Sequence, residues 1–294
     1  MVMVTLWAGY SFPPLAEAIE TSPRHIVSTF TGADEVLWEL LQKHEKHRIL
    51  ALSPFAKIKD YSNIRNLQAH RLSSHLSTNP ELLVGKKADL VVMAAFNRPE
   101  LRLTYGRLGI PCLQLNRFNS LNDIRSMITD IAQAIGKQSE GEALIRDMDE
   151  LIKATPKLQK EVKAINYHPH RISMGKKTIF NDVLHQLNIG NVAADLGIEG
   201  WQQISAEQLI THQPDVIVVS VNEHTRDQTM KQLRSDPIWK HLNAVKNERL
   251  IFVGQAQLNA VSHHVVKAMQ KISKQTQKLF PDRFQKRKES ASRD

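Results

Sequence analysis

The sequence holds a single cysteine in 294 residues, Cys112. No disulfide can form within the chain, and the paired-thiol spacings of zinc and redox sites are excluded. Cys112 lies between Pro111 and Leu113 in an apolar, strand-like run, where a small buried hydrophobe is expected rather than a nucleophile. Aromatic residues are sparse, at 6%. No apolar run reaches the roughly 18 to 20 residues that a membrane-spanning helix needs; the Met1 to Leu15 stretch is broken by Gly9, Ser11, Pro13 and Pro14. Catalytic signatures are missing as well: no G-x-S-x-G, no complete P-loop, no H-E-x-x-H and no G-x-G-x-x-G. Gly175-Lys176-Lys177-Thr178 approaches a phosphate loop, but His170 stands where its first glycine belongs and Lys177 displaces the hydroxyl residue. It reads as a loop before a helix beginning near Thr178. The sequence therefore predicts a protein that is not an enzyme.

What is present is an ordinary globular balance, 41% apolar and 23% charged, in a chain long enough for two domains. The formal charge of +9 includes a basic tail over 282–294. Acidic residues are interspersed with the basic ones and no aromatic-interleaved basic stripe occurs, so no nucleic-acid partner is expected. At the other end, Ala16-Glu17-Ala18 closes an apolar stretch with the small-residue pattern that signal peptidase reads, which predicts a signal peptide over 1–18 and an exported protein. No Lys or Arg precedes Ala18, which points to a leader truncated at its N-terminus, and no cysteine follows that would carry a lipid anchor.

Short β-branched runs alternate with helical patterns, the signature of parallel sheets built from βα units. His25 to Ser28, Arg48 to Leu52, Asp89 to Met93 and Cys112 to Leu115 read as buried strands in a first half, with helices over Ala33 to Leu41 and Pro99 to Leu108. Val162 to Tyr167, Asp215 to Val219 and Leu250 to Val253 read as strands in a second half, with helices over Ile179 to Leu187 and Ala206 to His212. A phrase repeats between the halves. Pro80-Glu81-Leu82-Leu83 leads to Asp89-Leu90-Val91-Val92, and Ala206-Glu207-Gln208-Leu209 leads to Asp215-Val216-Ile217-Val218. Between the halves, Ser120 and Asp123 have capping-box spacing, Ile124, Ile128, Ile131 and Ile135 recur at helical spacing, and Gly136 is placed to terminate the helix. The Glu140 to Lys153 pattern continues a helical link. The domain reading is a first lobe over 24–119, a linking helix over 120–136 and a second lobe over 137–281.

Thirteen histidines raise the question of a metal site. His44 and His47 fall near a helix end, where the helix dipole or plain exposure accounts for them. His263 and His264 are sequence neighbours, which on a helix or strand point in different directions, so at most one is expected to face a ligand. His168-Pro169-His170-Arg171 follows the strand Val162 to Tyr167, at the end where open parallel sheets bind ligands. No metal site of the protein's own is predicted.

Arg24-His25-Ile26-Val27-Ser28, Pro80-Glu81-Leu82-Leu83, Lys87-Ala88-Asp89-Leu90-Val91-Val92, Leu108-Gly109-Ile110-Pro111 and Ser120-Leu121-Asn122-Asp123-Ile124 follow one another along the chain. In content and order these phrases resemble the cobalamin and iron-siderophore class of periplasmic substrate-binding proteins. Gly190-Asn191-Val192-Ala193-Ala194, Trp201 to Leu209 and Gln213 to Val218 extend the likeness through the second half, so that it covers roughly Arg24 to Phe280. The resemblance implies an α/β fold of two Rossmann-like lobes with parallel sheets joined by a long helix, with ligand held between them and little hinge closure. It implies a monomeric receptor in the periplasm that serves the permease and ATPase of an ABC importer.

By the same resemblance the ligand is a metal chelate, cobalamin or a ferric siderophore, with haem as the alternative; an enzyme or sensor that reuses the scaffold is the contrasting class. Phe55, Tyr61 and Trp201 fall where aromatic faces pack on a flat ligand. The sequence departs from a cobalamin-binding relative at His75, where tryptophan is expected, at Ile172, where phenylalanine is expected, and in Gln255 to Asn259, which lack the expected aromatic. Arg98, beside Phe96, and Arg171 suit an anionic chelate, and His75, His168 or Tyr61 would supply an axial ligand to haem. Glu81 and Glu207 match surface glutamates that dock the permease.

Overall fold

The structure is a computed structural model and describes residues 22–64, 79–96, 99–221 and 225–284. The predicted signal peptide, His75 and Arg98 lie outside the described residues, as does most of the basic tail.

Two four-stranded, all-parallel sheets form the frame. The first contains β1 (Ile26–Ser28), β2 (Ile49–Ala51), β3 (Leu90–Ala94) and β4 (Cys112–Leu115) in the order β2-β1-β3-β4. The second is built from β5 (Val162–Tyr167), β7 (Ile189–Asn191), β9 (Val216–Val221) and β10 (Leu250–Gly254), in the order β10-β9-β5-β7. Read from its other edge, the second sheet has the same winding as the first. Beside the second sheet, β6 (Ile172–Met174) and β8 (Trp201–Gln203) make a small antiparallel ladder with Ile172 opposite Gln203.

The repeated phrase has a mechanical reason. Asp89, just before β3, accepts the backbone N–H groups of Arg24 and His25 at 2.7 and 2.8 Å, and so registers the start of the neighbouring β1. Asp215, just before β9, accepts the N–H of Lys163 at 2.8 Å and registers β5 in the same way. Each aspartate follows a short helix: α2 (Pro80–Gly85), capped by Asn79, and α8 (Ala206–His212), capped by Ser205.

Helices on both faces explain why the strands read as continuous apolar runs. Leu90, Val92 and Ala94 of β3 and Val216 and Val218 of β9 enter one large core, shared with α1 (Thr31–Leu40), α4 (Leu121–Ile135), α5 (Gln138–Ala154), α6 (Ile179–Gln186) and α12 (Val265–Leu279). The alternate residues face outward into separate clusters. Val91 and Met93 meet Tyr105 of α3 (Pro99–Arg107), while Ile217 and Val219 meet Trp239. Each such fully buried aliphatic side chain contributes about 1.5 to 3 kcal/mol. In the first sheet, burial pushes the Cys112 thiol up to about 12, which leaves it protonated and inert at neutral pH.

The chain passes from first sheet to second through α4 and α5. Ser120 caps α4 by accepting the N–H of Asp123 at 3.0 Å. The reciprocal bond runs one residue farther out than a standard capping box, from the N–H of Asn119 to Asp123. Gly136 ends the helix in the left-handed region, φ 69°, where a side chain would be strained. A knot of charges fastens this turn to the first sheet. The Arg48 guanidinium donates to the carbonyls of Pro23 and Ile135 and to Ser22, and Glu45 pairs with Lys137 at 2.8 Å. At its other end, the first N–H of α4 donates to Asp182 of α6 at 2.7 Å.

Candidate functional site

In an open parallel sheet the strand ends leave a crevice at the carboxyl edge, where side chains from successive loops converge. Both sheets carry aromatics there. In the first, Phe30, Phe55, Phe96 and Phe118 follow β1, β2, β3 and β4 respectively. Phe30 and Phe118 meet edge-on, with centroids 5.4 Å apart, and Phe96 packs on both while staying 68% exposed. Phe55 and Tyr61, both about half exposed, pack on each other with centroids 5.4 Å apart in the loop after β2.

A cavity of about 710 Å³ opens at the carboxyl edge of the second sheet, a volume within the usual range for small-molecule sites. One wall is the end of β5 with Tyr167, His168 and Pro169; a second is the start of α6 with Thr178 and Phe180. Trp201 of β8 forms a third, and the segment after β10, from α11 (Gln255–Leu258) to Val261, a fourth. Phe118 and Asn119, from the segment between β4 and α4, close it from the side of the first sheet. Trp201 is 57% exposed. A large ring held open to solvent beside a cavity is a face available to a ligand.

Local bonds build these walls. The buried Asn166 side chain donates to the carbonyl of Ile172 at 3.0 Å and accepts the N–H of Met174 at 2.8 Å, which folds β6 back against β5 and presents the 168–171 turn at the rim. Thr178 caps α6, as the loop-before-helix reading expects, accepting from the Asn181 N–H at 3.2 Å. Lys177, at the rim, is paired with Glu199 at 2.6 Å, and this partner holds the Glu199 carboxyl below its ordinary range.

His168 is kept neutral, its pKa lowered first by burial and then by the charge of His170. Its Nδ1 lies 3.2 Å from the backbone N–H of His170 and accepts from it. In the neutral ring that leaves Nε2 as an N–H donor. In this tautomer Nε2–H is placed to donate to a ligand oxygen.

Of the residues expected from sequence, Trp201 and His168 line the cavity, while Phe96 joins it through Phe118. Arg171 does not line it. Its backbone is left-handed, φ 53°, and its Nε donates to the carbonyl of Ile204 at 3.2 Å. Glu81 and Glu207 are exposed in the first turns of α2 and α8. Phe118, Asn119, Tyr167, Thr178 and Phe180 were not legible as site residues. The one signal available for them was position, directly after a buried strand or at the predicted start of a helix. His263 and His264 differ from expectation: they sit in a turn, where the alternation of helices and strands does not hold, and their rings face each other with centroids 4.0 Å apart. Burial pushes His263 down to about 4.

A family model described as periplasmic binding protein matches residues 26–257. The chain belongs to the periplasmic binding protein family. An uncharacterised ABC transporter substrate-binding lipoprotein of Bacillus subtilis is 23% identical over 221 residues, 71% of this chain and 67% of that protein. A cobalamin-binding protein of Halobacterium salinarum is 20% identical over 265 residues, 88% of this chain and 70% of that protein. Among solved structures, the periplasmic haem-binding protein HutB of Vibrio cholerae superposes with a TM-score of 0.70 at 18% identity, covering 86% of this chain and 98% of that one. The two-lobed α/β architecture expected from the sequence is therefore the architecture of this family.

Proposed function

We propose that this periplasmic binding protein is the ligand-capturing receptor of an ABC importer for a large metal chelate, cobalamin or a ferric siderophore before haem, and that it binds without turnover. The observation that carries this reading is the aromatic-edged cavity, with Trp201 open on one side and Phe118, leading to Phe96 and Phe30, on the other. Rigid aromatic faces bury much ligand area at little entropic cost. The His168 ring at the cavity wall, with Nε2 as donor, supports an oxygen-bearing chelate. On this reading the protein is exported to the periplasm after removal of 1–18, works as a monomer, and docks a permease and its ATPase through Glu81 and Glu207. Selection of an anionic chelate is assigned to Arg98, and to Arg171 only from outside the cavity lining. Intrinsic fluorescence, followed while cyanocobalamin, cobinamide, haemin, ferric citrate and a ferric hydroxamate are titrated in, tests the reading. A coloured chelate at the cavity quenches Trp201, and Trp201→Ala weakens binding by about 1 to 3 kcal/mol. Saturable binding that is indifferent to Trp201→Ala moves the site elsewhere, and no binding of any of the five overturns the chelate assignment.

A further inference from the structure

Asp34 and Glu35 are consecutive in α1, and both are buried, at 0% and 2% exposure. A buried carboxyl costs several kcal/mol unless its oxygens are satisfied, so two in a row call for partners. Each takes a backbone N–H and a side-chain donor from one residue of the loop after β2. Asp34 accepts the N–H of Ser53 at 3.0 Å and its hydroxyl; Glu35 accepts the N–H of Asn63 at 2.6 Å and its amide Nδ2 at 3.0 Å. Ser53 and Asn63 bracket the segment that carries Phe55 and Tyr61.

The same pair reaches across to the second sheet's cavity wall. The other oxygen of Glu35 accepts from the Ser262 hydroxyl, and Asn63 Nδ2 also donates to the carbonyl of Ala256 at 2.8 Å. Ala256 lies in α11, within the segment that forms the cavity's fourth wall, and Ser262 directly follows its last lining residue, Val261. Close backbone approach reinforces the join: a Cβ on Gly32, two residues before Asp34, would stand 2.6 Å from the Val261 carbonyl oxygen. Burial raises the Glu35 carboxyl above its ordinary range, against the pull of Ser262, Asn63 and the nearby Lys267.

We propose that Asp34 and Glu35 are positioning residues that pin both ends of the aromatic loop 53–63, and that Glu35 with Asn63 locks this loop to the cavity segment 255–262. The loop and the cavity wall then move as one body, and the Phe55–Tyr61 pair is held at a fixed place relative to the cavity before any ligand arrives. Its relevance to ligand capture rests on the receptor reading above; the lock itself does not.

Hydrogen exchange of the ligand-free full chain tests the lock. Glu35→Ala should raise exchange in peptides covering 53–63 and 255–262 by about tenfold, the scale of one hydrogen bond to a charged group, while peptides of β3 and β9 stay unchanged. Glu35→Gln keeps an acceptor for Asn63 and should restore most of the protection. Asn63→Ala, which leaves the buried carboxyls in place, should loosen the same two segments if Glu35→Ala fails to fold. Unchanged protection in these segments, or a loss spread evenly over the chain with no rescue by Glu35→Gln, overturns the proposal and leaves Glu35 a general stabiliser. Asn63→Ala should also weaken cyanocobalamin binding severalfold. If cyanocobalamin does not bind even the wild-type chain, the choice of ligand falls while the exchange result stands or fails separately.

Discussion

Asp34 sits fully buried with Ser53 and Ser28 as hydrogen-bonding neighbours, and burial pushes its pKa up to about 7. Below about pH 4 the carboxyl is protonated in folded and unfolded chains alike, and its contribution to stability is at its greatest. As pH rises toward 7 the unfolded chain gives up a proton that the folded chain keeps, so that contribution falls by up to about 1.4 kcal/mol per pH unit. Asp34→Asn, which retains an acceptor for the Ser53 N–H, should flatten the dependence across this window and be more stable than the wild type above pH 7. Urea unfolding at pH 5 and pH 8 checks this; a wild-type chain no less stable relative to Asp34→Asn at pH 8 than at pH 5 contradicts it. The sequence did not disclose the role of this residue. Asp34 and Glu35 stand in an apolar helical run between Ala33 and Val36, and hydrophobic periodicity assigns acids in such a run to the solvent face. Partners remote in sequence, Ser53, Asn63 and Ser262, help to make their burial tolerable.

At the scale of elements, legibility followed burial. β3 and β9, covered on both faces, read as unbroken apolar runs, and α4 declared itself by a serine, four spaced isoleucines and a glycine. The β6–β8 ladder did not, because Trp201, Gln202 and Gln203 are all exposed and three residues carry no periodicity. β7, Ile-Gly-Asn, is largely buried but equally short, and its central glycine breaks any apolar run. The cavity depends on these short elements, so its walls were harder to read than its frame. The cap of α4 allows a direct test. Ser120→Ala leaves the Asp123 N–H without its acceptor and should cost about 1 kcal/mol, read as a lower urea midpoint, whereas Ser120→Asp should hold the wild-type value. An unchanged midpoint in Ser120→Ala would mean that the Asp182 bond to Leu121 suffices to start the helix.

On the whole molecule, two sheets of identical winding present Glu81 and Glu207 at matching places. Exposed apolar side chains accompany each, Leu82 and Val84 beside the first and Ile210 near the second. As the proposed docking points, Glu81→Ala and Glu207→Ala should leave chelate binding unchanged and weaken stimulation of the importer's ATPase in proteoliposomes. The double variant should lose more than either single, since linked contacts act bivalently. Wild-type stimulation by both single variants would reduce these carboxylates to stabilisers of their helix N-termini, worth about 0.3 to 1 kcal/mol.

The knot of Arg48, Ser22, Glu45 and Lys137 at one end of α4 and the Asp182 bond at the other fix the link to both sheets. A receptor bolted in this way would keep nearly the same outline whether empty or full. The importer must then tell a laden visitor from an unladen one by little more than the cargo itself, and empty copies occupy the same landing place as loaded ones. Import by such a pair would peak at an intermediate abundance of receptor and decline when unladen copies outnumber the chelate.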